Sequence, residues 1–242
     1  SGAQVARNIG LELASGEFIK LLDSDDLLNR DVLQNQVNRY KVFVSDRREI
    51  VCGYFHVTDL KGNLLEEALP SHEVRERGYI ELSDVISDNP PTSSPLYRKE
   101  QLIAVSGLNE NLPVLQDYDL AFRVSFAGFR FRYFPDLTYS MRDHDHGHRV
   151  SAARKSVNIE AHLRLMNSNY EQLNKLHPNG LPYALRKAFF ERIASVTYKL
   201  AKAGEKRSAL RLASLLIRFP FSGSVRGYSL LLGSLFFKVQ SD

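Results

Sequence analysis

The sequence predicts an α/β domain built on a mostly parallel sheet, followed by an all-α region. Three observations carry this. Helix, strand, carboxylate-rich loop, helix and strand follow one another through the first part of the chain, the order that gives helices packed on a sheet. From about Ser151 the apolar residues recur only at helical spacing. The charge changes at the same place: residues 1–150 carry 17 Lys+Arg against 23 Asp+Glu, residues 151–242 carry 15 against 5, within an overall balance of +4. The expected division is therefore a domain at 1–150 and a basic helical region at 151–242.

Composition narrows the function classes. With 43% hydrophobic and 25% charged residues over 242 positions, disorder and fibrous architectures are out. No apolar run reaches the ~18 residues of a membrane span; the nearest, Tyr228 to Phe237, is about half that. A single cysteine, Cys52, allows no internal disulfide and fits a reducing compartment. No secretory signal is visible, so the expected location is cytoplasmic. The basic tail adds an anionic membrane surface as a partner, at the inner face of the cytoplasmic membrane; solvated cations on a plain helical bundle are the alternative. Neither a zinc motif nor an aromatic-plus-basic pattern supports nucleic-acid binding.

Along the chain, Val5, Ile9 and Leu13 predict a helix over 3–14, ended by Gly16 in a left-handed cap. Glu17 to Leu22 reads as a strand running into Asp23-Ser24-Asp25-Asp26, and a helix follows from Arg30 to about Phe43. Glu49 to Thr58 is strand-like, and Asp59 to Asn63 turns into another strand. Asp88 to Thr92 interrupts the pattern before a short helix near Lys99 to Val105. Ser106 to Gln116 is a loop, Asp117 to Ala127 an amphipathic helix closed by Gly128, and Phe129 to Phe134 a strand. In the tail, Ile159, Leu163, Met166, Tyr170 and Leu173 form one stripe. Leu185, Phe189, Ile193, Val196 and Leu200 form another, and Leu212, Ala213, Leu216 and Ile217 a third.

Two places could do chemistry. Asp23 and Asp25, on a tight turn after an apolar strand, are hard oxygen ligands suited to Mg²⁺ or Mn²⁺ shared with substrate phosphates; helix capping is the plainer reading of such an acidic run. Asp117 opens a helix after a loop, where the helix dipole favours the ionised form that a base needs. Further on, His144, His146 and His148 would share one face of an extended segment.

The segments Gly2 to Gly10, containing Ala6-Arg7-Asn8-Ile9-Gly10, and Leu21-Leu22-Asp23-Ser24-Asp25-Asp26 closely resemble inverting family 2 glycosyltransferases of the GT-A fold. The resemblance resumes in Ser106-Gly107-Leu108-Asn109-Glu110 and in Gln116-Asp117-Tyr118-Asp119-Leu120 with Arg123, so it spans roughly residues 1–150. It implies that Asp23 and Asp25 hold Mn²⁺ or Mg²⁺ on a nucleotide-sugar, that Arg7 faces the nucleotide or its phosphates, and that Asp117 is the catalytic base. His144 is the implied further metal ligand. The implied reaction is transfer from a UDP-sugar to the hydroxyl of a glycan or lipid-linked acceptor, with inversion, in cell-surface glycan synthesis. Two departures stand out: Gln116 replaces the usual Glu, and Ser106-Gly107 the usual Gly-Gly. The family's opening strands have no counterpart ahead of Ser1, so the expectation is an N-terminally truncated, partial domain, inactive alone. A non-catalytic remnant that binds a partner and a metal-dependent nucleotidyltransferase are the other classes compatible with these residues.

Overall fold

The computed structural model describes residues 2–143 and 155–218. These fall into two compact units, one drawn from residues 2–85 and 89–143 and the other from 86–88 and 155–218.

In the first unit α1 (Ala3–Leu13) is followed by β1 (Phe18–Ile19), β2 (Leu27–Leu28), α2 (Val32–Phe43), β3 (Glu49–Thr58) and β4 (Leu64–Ala68). Then come α3 (His72–Arg77), β5 (Tyr79–Ile80), α4 (Leu82–Ser87), β6 (Tyr97–Arg98), α5 (Lys99–Ala104), α6 (Gln116–Phe126) and β7 (Arg130–Arg142). The long strand β7 is the hub. One edge pairs with β3 in parallel, from Glu49↔Arg130 to Thr58↔Arg142. The other edge is shared by β5, antiparallel at Phe131 and Arg132, and by β2, antiparallel at Tyr139 and Ser140.

The α/β class stands, but the sheet is mixed rather than mostly parallel. Only β3 and β7 pair in parallel among the described strands. The Asp59–Asn63 turn, closed by the Asp59 carboxylate accepting from the Lys61 and Asn63 amides at 2.8 Å, returns β4 as a hairpin, which is necessarily antiparallel. The strand expected at Glu17–Leu22 shortens to Phe18–Ile19 and joins β6 in a separate two-stranded ladder. Gly16 is not a left-handed cap either: α1 ends at Leu13 and Ala14 is already extended.

Strand β7 also runs well past the Phe134 end that the sequence suggests. Pro135 lacks an amide to donate and is tolerated in a strand at a bulge. The register slips there: Cys52 faces Tyr133, yet Tyr54 faces Leu137. At this bulge Gly53 is obligatory, because a Cβ would sit 2.1 Å from the Asp136 carbonyl oxygen. Ser94 ties the same point, its hydroxyl donating to Gly53 O at 2.7 Å and accepting from Gly53 N at 3.2 Å. Arg39 forks onto Asp136 at 2.8 and 2.9 Å while lying over the Phe134 ring. In the sheet and the elements packed on it, Ile50, Val51, Tyr97, Leu102, Leu120, Phe122 and Phe131 are buried. The Tyr40 hydroxyl donates to Leu96 O at 2.6 Å and accepts from Val51 N at 3.1 Å.

The second unit is helical, as its sequence stripes predict: α7 (Lys155–Leu176), α8 (Tyr183–Lys202), α9 (Lys206–Ala213) and α10 (Leu215–Arg218). Met166, Leu173, Phe189, Ile193, Ala209 and Leu212 are buried in it. Tyr170 packs edge-on against Phe189. Ser214 splits the third stripe into two helices and returns its hydroxyl to Arg211 O at 2.7 Å. Among the described residues no helix is long and apolar enough to cross a membrane.

A Gly53→Ala substitution should cost about 3 kcal/mol of unfolding free energy, the upper range for forcing atoms into a packed site. Urea denaturation of the two proteins measures it. A loss below about 0.5 kcal/mol, the level of a neutral surface change, would show that the β3/β7 bulge relaxes freely.

Candidate active site

The acidic loop owes its position to β2. Leu27 and Leu28 pair with Tyr139 and Ser140, which draws residues 23–26 to the carboxyl end of β7. In open α/β sheets, ligands bind outside such strand ends. The loop closes on itself through Asp26 N donating to Asp23 O at 3.1 Å. It is tied to β7 by the Arg142 amide, which donates to Asp26 Oδ1 at 3.4 Å, and by the Arg142 guanidinium on the Asp25 carbonyl. The loop caps no helix: α2 begins after Asp31, which takes a left-handed conformation.

The second wall is the loop that leads into α6. Asn8 on α1 grips it with both ends of its amide. Nδ2 donates to Leu108 O at 2.9 Å and to Glu110 Oε1 at 2.8 Å, and Oδ1 accepts from Leu108 N at 2.9 Å. Gly107, at φ 64°, leaves room for this grip, since a Cβ there would lie 2.5 Å from Asn8 Oδ1. Ser106 before it also has positive φ, at 59°. From the far side Arg123 donates to Gly107 O at 2.9 Å and pairs with the buried Asp119. Asp119 is thus a structural anchor. Helix α6 then starts after Leu115, itself left-handed at φ 64°, so Asp117 lies inside the first turn and is not the N-cap. Its side chain is exposed.

Arg7 joins the two walls. Its guanidinium donates to the Asp23 carboxylate and, through Nη1, to Gln116 Oε1 at 3.1 Å. Tyr139 beneath them senses all three acidic groups. Burial first, and then the charges of Asp26, Asp117 and Asp23, push its phenol well above the ordinary tyrosine range. Tyr97, fully buried, is raised by burial and also feels Asp117. The structure therefore brings Arg7, Asp23 and the start of α6 together. His144 lies outside the described residues.

The loop carries surplus negative charge. Burial and the nearby Asp23 charge push the Asp26 carboxyl up to about 6, with Asp25 adding to the rise and the Arg142 amide opposing it. Crowded carboxylates of this kind fit a divalent cation held by one or two side chains, with phosphates and water completing its shell. They do not make a closed cage, since no group of three or more His, Cys, Asp or Glu suited to a metal occurs among the described residues.

Two partners escaped the sequence reading: Tyr139, which carries no chemical signature, and Asn8 as the loop clamp. Asn8 stands inside the Ala6-Arg7-Asn8-Ile9-Gly10 run, so its position was marked and only its task was not.

Residues 1–100 match the family described as glycosyl transferase family 2. This segment, the first 100 of the chain's 242 residues, is what is similar to that family. An uncharacterized glycosyltransferase from Haemophilus influenzae is 36% identical over 73 residues, 30% of this chain and 28% of that protein. The amylovoran biosynthesis glycosyltransferase AmsB of Erwinia amylovora is 27% identical over 139 residues, covering 52% of this chain and 42% of the relative. The matched part thus spans less than half the length of either relative. Among solved structures, S. aureus TarS aligns with 96% of this chain and 40% of its own, at TM-score 0.59 and 16% identity. TarS 1–349 aligns with 97% and 60% at TM-score 0.55 and 15% identity. The likeness at such identity is one of fold, and it is the GT-A-like α/β architecture with a following helical region.

Lys20, three residues before the acidic loop, holds that segment inward by donating to Gln36 Oε1 at 2.9 Å and Ser94 O at 2.7 Å. Burial lowers its ammonium from 10.5 to about 7. The unfolded chain then binds more protons than the folded one across that window, so this residue makes stability rise as pH climbs from about 7 to about 10.5. A ¹³Cε titration should place the Lys20 midpoint near 7, far below the ~10.4 of ordinary lysines. A midpoint in the ordinary range would mean that water reaches the amine.

Proposed function

We propose that the protein transfers a sugar from a nucleotide-activated donor, most simply a UDP-sugar, to an acceptor hydroxyl with inversion at the anomeric carbon. The observation that carries this reading is the Arg7 guanidinium, which bridges the Asp23 carboxylate of the acidic loop and Gln116 Oε1, at 3.1 Å, beside Asp117 at the start of α6. This supports a leaving-group site on the acidic loop and a base at the start of α6.

In this reading Asp117 accepts the proton of the acceptor hydroxyl. The hydroxyl oxygen forms the new bond to the anomeric carbon from the face opposite the diphosphate, and the bond from that carbon to the diphosphate oxygen breaks. The nucleoside diphosphate leaves with the electron pair. Asp117 suits the task because it is exposed in the first turn of α6, where the helix dipole favours its anion. Arg7 orients the site by bridging Asp23 and Gln116. Asp23 and Asp25 would hold Mn²⁺ or Mg²⁺, which supplies charge neutralisation to the departing diphosphate; His144 is the further ligand in this assignment. The name of AmsB places that relative in amylovoran biosynthesis, which supports a cell-surface polysaccharide as the acceptor class here.

The test is a pair of substitutions in the full-length protein. Asp25→Ala should abolish Mn²⁺-dependent UDP binding in calorimetry while leaving the melting temperature nearly unchanged. Asp117→Asn should keep that binding and lower turnover by ~10²–10⁴-fold, the usual loss on removing a general base. Parental turnover in Asp117→Asn would remove the base assignment. Release of pyrophosphate instead of nucleoside diphosphate would replace sugar transfer with nucleotidyl transfer.

A further inference from the structure

Arg7 occupies the carboxylate that a metal ion would need. Its guanidinium donates to Asp23, and the pair is well shielded on the arginine side, with Arg7 18% and Asp23 45% exposed. Arginine does not lose its proton at any relevant pH. Asp23 is therefore neutralised by a resident cation in the structure. The other end of the guanidinium rests on Gln116 Oε1 at 3.1 Å. Being neutral, Gln116 positions Arg7 without competing for its charge, so the arginine's ion pair is made with Asp23.

We infer that Arg7 is a counter-ion latch: it holds Asp23 and releases it only when a nucleoside diphosphate offers the guanidinium a better anion. A phosphate presents a charge and a fork geometry that guanidinium matches with two parallel hydrogen bonds, whereas here it donates one hydrogen bond to Asp23 and one to Gln116. A divalent cation arriving alone must displace the arginine and leave its charge unpaired beside the loop. A cation arriving with the diphosphate need not, since Arg7 passes from Asp23 to the phosphate as the metal takes Asp23. The consequence is ordered loading, with the metal bound weakly until the nucleotide is present. This rests on the nucleotide-sugar reading of the same site.

Calorimetry with Mn²⁺ alone, and with Mn²⁺ plus UDP, tests it on the full-length protein, Arg7→Gln and Arg142→Gln. Arg142 is the control for charge alone: its guanidinium lies by the same loop and donates to the Asp25 carbonyl, not to Asp23. Arg7→Gln should tighten Mn²⁺ binding in the absence of UDP by about tenfold or more, as expected when a close competing charge pair is removed; Arg142→Gln should tighten it by less than about threefold. Equal tightening in both variants, or none in Arg7→Gln while Mn²⁺ still binds with UDP, overturns the latch and leaves the metal assignment standing. Absence of Mn²⁺ binding in every protein, with and without UDP, overturns both. The unaltered protein gives an independent reading should Arg7→Gln fail to fold. Its Arg7 Nε–Hε resonance should shift when Mg²⁺ and UDP are added together and stay in place with Mg²⁺ alone; a resonance that ignores the pair contradicts the inference.

Discussion

The grip of Asn8 on the loop before α6 is the interaction on which the site depends. Three hydrogen bonds join one amide side chain to Leu108 and Glu110, about 100 residues away in sequence. Each is worth about 1 kcal/mol net, and together they must offset the ordering of an eleven-residue connection between α5 and α6. Gly107 makes the approach sterically feasible, and Arg123 holds the same turn from its other side through Gly107 O. With the loop fixed, Leu115 takes the left-handed conformation and α6 begins with Gln116 facing Arg7. Asn8 and Arg7 are neighbours on one helix, so a single rigid element sets both the loop and the arginine that spans the cleft.

The electrostatics follow from that geometry. Asp23, Asp25 and Asp26 lie within four residues, and the buried Tyr139 phenol is raised by the charges of Asp26, Asp117 and Asp23. The positive charge at hand is arranged unequally. Arg7 meets a carboxylate, whereas Arg142 gives its guanidinium to a carbonyl and its amide to Asp26. Lys20 adds little, since its burial lowers the ammonium to about 7. The loop is left short of compensation, which is what raises the Asp26 carboxyl.

Much of this was legible in the residues. Helices α1, α2, α5 and α6 and strands β3 and β4 show their periodicity directly, and the acidic loop declares its chemistry through residue type. What was not legible is set by tertiary pairing. Leu27–Leu28 is too short to carry a strand signal, yet its register on Tyr139 and Ser140 decides where the acidic loop points. Pro135 reads as the end of a strand, and only the bulge opposite Gly53 lets β7 continue to Arg142. The predicted parallel sheet failed for a similar reason: helices between strands suggest crossovers, but β2 and β5 are short antiparallel additions to one edge of β7. Asp119, which shares a motif with Asp117, is separated from it by burial and by its pairing with Arg123, a distinction that spacing alone only hints at.

The most direct measurement of whether the Asn8 grip assembles the site is hydrogen exchange at the Leu108 amide, which donates to Asn8 Oδ1, read alongside UDP binding in the full-length protein. In Asn8→Ala the account predicts loss of protection at Leu108 and its loop, retained protection in the β3/β7 ladder, and UDP affinity lower by about tenfold, the equivalent of roughly 1.4 kcal/mol. Undiminished protection at Leu108 together with unchanged UDP affinity would contradict it, and would show that the loop and the start of α6 are held in place without α1.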